Sequence, residues 1–178
     1  MNTKDIKHKS KFLSLILRHQ PEKINLKLDE NGWADVDELI EKSKKVHFDM
    51  DILEEVIETN NKKRFTFNEV KTKIRANQGH SINIDINLDP IEPPAILYHG
   101  TSIKNIDSIR SSGIDKRNRQ HVHLSHELST AKNVGSRHGK PIILNIDTQQ
   151  MHKDGFLFYL SKNGVWLTDY IDPKYIKS

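Results

Sequence analysis

Arginines and histidines recur in this chain beside residues that read as core. The densest run is Arg119-Gln120-His121-Val122-His123-Leu124-Ser125, and the same pairing of cation with apolar neighbour returns in Leu17-Arg18-His19-Gln20-Pro21 and Lys63-Arg64-Phe65. A guanidinium on an open surface is satisfied by water, so cations set repeatedly against apolar side chains point to a cavity for something carrying several negative charges. Phosphate is the leading candidate, because the planar fork matches its oxygens bidentately and never loses its proton.

Each of these residues also has an ordinary explanation. Arg18 and His19 could be cations closing a helix C-terminus, where they favour the macrodipole. Arg64 could be a solvated cation on an edge strand. His121 and His123 stand two apart in an expected strand and so share a face, and His99 would complete a three-histidine zinc site. No acidic partner for such histidines lies close in sequence, so no metal is expected. His99-Gly100-Thr101 reads as a strand-to-helix turn in which Gly100 could admit a ligand close to the backbone. Gln78-Gly79-His80-Ser81 is a polar turn that could be a connector, and Asn163-Gly164 is a hairpin signal.

The elements that must position these groups divide the chain in two. In the first half, Ser10 is expected to cap a helix carrying Phe12, Leu13, Ile16 and Leu17, stopped by Pro21. A second helix is expected over residues 35–43 behind the Asp35/Glu38 pair, and a third from Asp49 to Asn60. Residues 64–67 and 70–76 alternate like a hairpin turning at Asn68-Glu69. Three helices followed by a hairpin is the order of a winged helix. Pro90, Pro93 and Pro94 then interrupt the pattern, and the boundary is placed in 88–94, giving domains 1–92 and 93–178. The second half offers strands at 95–99, 120–125, 141–147, 156–160 and 165–168, with helices near 103–111 and 129–138 between some of them. The expected class is α+β, with a mixed or antiparallel second lobe.

Composition sets limits on the partners. With 178 residues, 35% of them hydrophobic, the chain can build one domain or two small cores. It has no cysteine, which excludes disulfides and thiolate chemistry. No run approaches the roughly 20 apolar residues of a membrane span, so a cytoplasmic protein with no membrane partner is expected. Residues 1–92 carry 16 Lys+Arg against 17 Asp+Glu (net −1), and 93–178 carry 12 against 7 (net +5). That distribution argues for localised contacts to a few phosphates over a broad basic stripe.

Seven segments occur in one order: SKFLSLILRHQPE from Ser10, LDENGW from Leu28, Lys63-Arg64-Phe65, QGHS from Gln78, LYHGT from Leu97, HVHLS from His121 and NGVWLT from Asn163. Together they resemble the RNA 2′-phosphotransferase family over nearly the whole chain. The resemblance implies an N-terminal winged-helix RNA-binding lobe and a C-terminal lobe like that of ADP-ribosyltransferases, which binds NAD. It implies removal of an internal 2′-phosphate from RNA, such as a tRNA-like splice junction, through an RNA-2′-phospho-ADP-ribose intermediate. The products would be 2′-hydroxyl RNA, nicotinamide and ADP-ribose 1″,2″-cyclic phosphate. The family's catalytic set maps onto Arg18, His19, Arg64 and Arg119, with Arg117 a competitor for the last place. His99, Gly100, Thr101, His121, His123 and Ser125 would line the NAD site, and the Gln78–Ser81 turn would close the cleft between the lobes. A monomer is expected.

Two other classes compete. An ADP-ribosyltransferase acting on protein or on nucleic-acid phosphates would share the second lobe. For the protein-modifying type a catalytic glutamate is expected on a late strand, and Glu127, the only glutamate from Pro93 to Ser178, is misplaced for it. A non-enzymatic winged-helix regulator would leave the histidines and arginines of the second half without a role.

Overall fold

A computed structural model describes residues 2–177. Helices and antiparallel strands are mixed throughout, and the chain divides into two compact units, Met1–Asn87 and Leu88–Ser178. The division falls between Asn87 and Leu88, ahead of Pro90 and of residue 92, and backbone bonds on its two sides run to different units. Asp85 N–H donates to Glu30 in the first unit (3.0 Å), whereas Ile91 N–H donates to Phe158 in the second (2.8 Å).

In the first unit, helix α1 runs Thr3–Arg18, α2 Val36–Lys42 and α3 Met50–Glu58. Asp35 and Asp49 cap α2 and α3 as their sequence positions imply, each accepting a first-turn N–H. Ser10 does not cap α1. The helix begins a full two turns earlier, where the Asn2 side chain accepts from Asp5 N–H, and Ser10 lies buried inside it. Leu13, Ile16 and Leu17, spaced to share one helical face, bury completely against Val36, Leu39, Leu53, Val56, Phe65 and Ile74. Strands β1 (Ala34–Asp35), β2 (Phe65–Phe67) and β3 (Lys73–Ala76) form an antiparallel sheet in the order β1-β3-β2. The hairpin turn is longer than expected: residues 70–72 stay out of the strand, with Lys71 at φ +56° and Val70 exposed.

In the second unit, β4 (Ile96–Ser102) is paired along its whole length with β7 (Pro141–Asp147), and β11 (Ile176–Lys177) adds to the other side of β7. A second sheet joins β6 (Val122–Leu124), β9 (Trp166–Thr168) and β8 (Tyr159–Leu160) in the order β6-β9-β8. One antiparallel bridge, Tyr98 opposite Ser125 with both bonds at 2.8 Å, connects β4 to the end of β6. A short ladder of β5 (Ile114–Asp115) with β10 (Tyr170–Ile171) and helices α4 (Ile106–Ser112), α5 (Leu128–Gly135) and α6 (Thr148–Lys153) complete the unit. Leu97, Leu124, Leu144, Ile146, Phe158 and Ile171 form its core. No helix among the described residues is long and apolar enough to cross a membrane.

The glycine in β4 has a packing reason. A Cβ at Gly100 would stand 1.7 Å from the Ala131 carbonyl oxygen, so α5 lies directly on β4 only because that atom is missing. Gly100→Ala should therefore cost about 2 kcal/mol or more, since the obstacle is backbone and cannot turn aside. Gly164→Ala, at φ +78° with nothing within 4 Å, should cost about 1 kcal/mol from backbone conformation alone. Thermal unfolding of the two variants should rank them in that order; equal losses would show that α5 yields freely.

Candidate active site

The end of α1, the entry to β2 and the turn after β3 meet in the first unit. Arg18 lies on the last turn of α1 and His19 is its C-cap. The Arg18 guanidinium stands 5.7 Å from the Phe65 ring centre and donates from Nη2 to the Arg64 carbonyl (3.4 Å). Arg64 in turn donates from Nη1 to Asn60 Oδ1 (3.1 Å), and Asn60, buried where α3 has ended, donates through Nδ2 to Ser10 Oγ (3.0 Å). These acceptors are neutral, and they orient the forks without themselves cancelling charge.

The turn after β3 reaches the same place. Ser81 N–H donates to the Arg18 carbonyl (2.9 Å), and Ser81 Oγ lies 2.8 Å from His19 Nδ1. Next to Ser81 in the chain, His80 is 1% exposed, and its Nε2 has no hydrogen-bond partner among the described residues. Burial first, then the charges of Arg18, Arg75 and His19, push the His80 pKa down to about 4. His80 is therefore a neutral ring at pH 7, a buried filler that adds no charge to those cations.

The second unit gathers a separate set. Arg119 precedes β6 and donates from Nη1 to His123 Nδ1 (2.9 Å), which puts the proton of a neutral His123 on Nε2. His99, on β4, donates from Nδ1 to the His123 carbonyl (3.2 Å), so its free nitrogen is Nε2. Burial chiefly, with the nearby Arg117, lowers the His99 pKa against the opposing effect of that bond, and the ring is neutral at pH 7. Partial burial and the neighbouring Arg137 also lower the Arg119 pKa, from a starting value so high that the group remains a cation. The His121 ring lies 5.7 Å from that of Tyr159, while Thr101 is buried and its Oγ1 accepts from Asn105 (3.0 Å). His99, His121 and His123 thus face three different partners.

A profile of the RNA 2′-phosphotransferase, Tpt1/KptA family matches residues 4–170. The chain belongs to this RNA 2′-phosphotransferase family. Similar proteins include a "Probable RNA 2′-phosphotransferase" of Fusobacterium nucleatum subsp. nucleatum, 59% identical over 94% of this chain and 95% of its own. One from Flavobacterium johnsoniae is 58% identical over 99% and 98%, and one from Nostoc punctiforme 49% identical over 94% of each.

Within this family member, the residues singled out in the sequence fall into two groups that the fold brings together separately. Arg18, His19 and Arg64 are neighbours in the first unit; Arg119, His99 and His123 are linked in the second, where Ser125 pairs with Tyr98. The gap beside Gly100 is filled by α5, so closeness to a ligand does not explain that glycine. Sequence reasoning missed Asn60 as the support of Arg64 and Ser10 as the support of Asn60. It also passed over Arg137, for which the only signal is its place in the basic Arg137-His138 pair after α5.

The neutral state of His80 fixes the sign of a pH effect. Its folded pKa of about 4 is depressed below the ordinary 6.5, so its contribution to stability is complete above pH 6.5 and is lost as pH falls from there through about 4. Within that window, wild type should lose up to about 1.4 kcal/mol per pH unit relative to His80→Gln, whose side chain does not titrate. Urea unfolding at several pH values checks this; parallel curves would show that folding leaves the His80 pKa at its ordinary value.

Proposed function

We propose that this protein is an NAD-dependent RNA 2′-phosphotransferase that removes an internal 2′-phosphate from RNA by way of an RNA-2′-phospho-ADP-ribose intermediate. The observation that carries the proposal is the grouping of Arg18, His19 and Arg64 at the end of α1, within a chain that belongs to the RNA 2′-phosphotransferase family. On this reading the first unit is a winged-helix lobe for RNA: three helices and a hairpin, with the cations at the end of α1 and the start of β2. The second unit is an ADP-ribosyltransferase-like lobe, and its antiparallel sheets carry the NAD-facing residues.

Arg18, His19 and Arg64 grip the 2′-phosphate and the adjacent backbone, where forked donors fix both position and charge. The second unit suits NAD by its donor set, since a guanidinium at Arg119, imidazole nitrogens at His99 and His123 and the Ser125 hydroxyl can meet a pyrophosphate and ribose hydroxyls. His99, Gly100, Thr101, His121, His123 and Ser125 line this site, Gly100 and Thr101 by shaping β4. When bound, NAD would supply the ribose carbon that accepts the phosphate and a nicotinamide, cationic while attached, that takes the bonding electrons and departs neutral. Arg119 orients the reacting groups and neutralises charge as the RNA oxygen is released.

A short RNA bearing an internal 2′-phosphate should lose it on incubation with the protein only when NAD is added; loss without NAD would overturn the proposal. Arg18→Ala, His19→Ala, Arg64→Ala and Arg119→Ala should each slow that reaction roughly ten- to a few-hundredfold, the scale of one lost charge-assisted contact. Lysine at the arginine positions should restore little. Four folded variants with wild-type rates would place the phosphate elsewhere.

A further inference from the structure

The Gln78–Ser81 turn does more at the end of α1 than connect two segments. Gly79, at φ +87°, lets the chain reverse so tightly that the next two residues both reach the helix end. His80 is buried, and Ser81 makes two ties at once: its N–H to the Arg18 carbonyl and its hydroxyl to His19 Nδ1. The first tie satisfies a carbonyl that the finished helix leaves over. The second holds an exposed imidazole by one defined nitrogen.

We propose that Ser81 is a positioning residue for the transfer reaction, which holds the His19 ring by Nδ1 so that Nε2 is presented to the RNA phosphate. The inference rests on the reading of His19 as a phosphate-holding residue. A hydroxyl suits the task because it can accept from a protonated Nδ1 or donate to an unprotonated one, so it holds the ring in either protonation state. A carboxylate there would also hold it, but would raise its pKa and set a negative charge beside a site for anions.

The test compares Ser81→Ala, Ser81→Thr and Ser81→Asp in the full chain, by single-turnover rates on RNA with an internal 2′-phosphate in the presence of NAD. Ser81→Ala keeps the backbone tie to Arg18, so the fold should persist while the rate drops about three- to tenfold, the worth of one ordinary hydrogen bond. Ser81→Thr should restore most of it. Ser81→Asp should be slower than Ser81→Ala, with its rate profile displaced to higher pH.

The decisive comparison is made in a His19→Ala background, where Ser81→Ala should change the rate by less than about twofold because there is no ring left to position. An undiminished effect there would mean that Ser81 acts on the RNA or on the fold, and would overturn the inference. Nitrogen NMR of labelled histidine provides a readout independent of activity. Ser81→Ala should shift the His19 ring signals in the RNA-free protein, and unchanged signals would overturn the contact itself. Should His19→Ala alone keep the wild-type rate, it is the phosphate-holding reading of His19 that fails.

Discussion

Like charges brought close together repel one another, and on the proposed function the end of α1 has to hold Arg18, Arg64 and His19 in one place for an anion. Their contacts include a backbone carbonyl, an amide oxygen and a hydroxyl, each polar enough to orient a donor and none of them ionised. The same constraint accounts for His80. A protonated ring near two arginines would add a further repulsion in a space with little water, and burial holds it neutral.

The second unit meets the constraint differently, by sharing protons along a line. The guanidinium of Arg119 donates to His123, and the carbonyl of His123 receives the proton of His99. Each bond fixes a tautomer, so two imidazoles become defined donors and acceptors. What permits this line is mechanical. Gly100 lets α5 press against β4, and the Tyr98–Ser125 bridge brings the end of β6 alongside the same strand, so that His99 and His123 come within reach of each other.

Local chemistry was legible in the sequence wherever the partner lay within a turn or two. The cap at Asp35, the start of a helix at Asp49, the apolar face of α1 and the alternating hairpin strands could all be read, because each is decided by residues two to four apart. Ser10 was misread for the opposite reason. Its residue type fits a cap, but its partner is Asn60, and nothing near Ser10 announces a buried amide arriving from the end of another helix. The two-residue β1 was too short to show a period. Gly100 was noticed for its freedom, whereas its function in the fold is the absent side chain opposite Ala131. The grouping of Arg18, His19 and Arg64 came from family resemblance, since spacing alone left each with an ordinary alternative.

The contacts that shape the C-terminal end of α1 span long stretches of chain: 46 residues from Arg18 to Arg64, 50 from Ser10 to Asn60 and 62 from His19 to Ser81. Helices can form early from neighbours in sequence, but each of these contacts waits for a loop to close and for the core between to condense. That end of the unit is therefore expected to be among the last features completed as the chain folds. On the proposed function, a partly folded molecule can hold all three helices and still have no grip on RNA, so binding would itself report that the unit has finished folding.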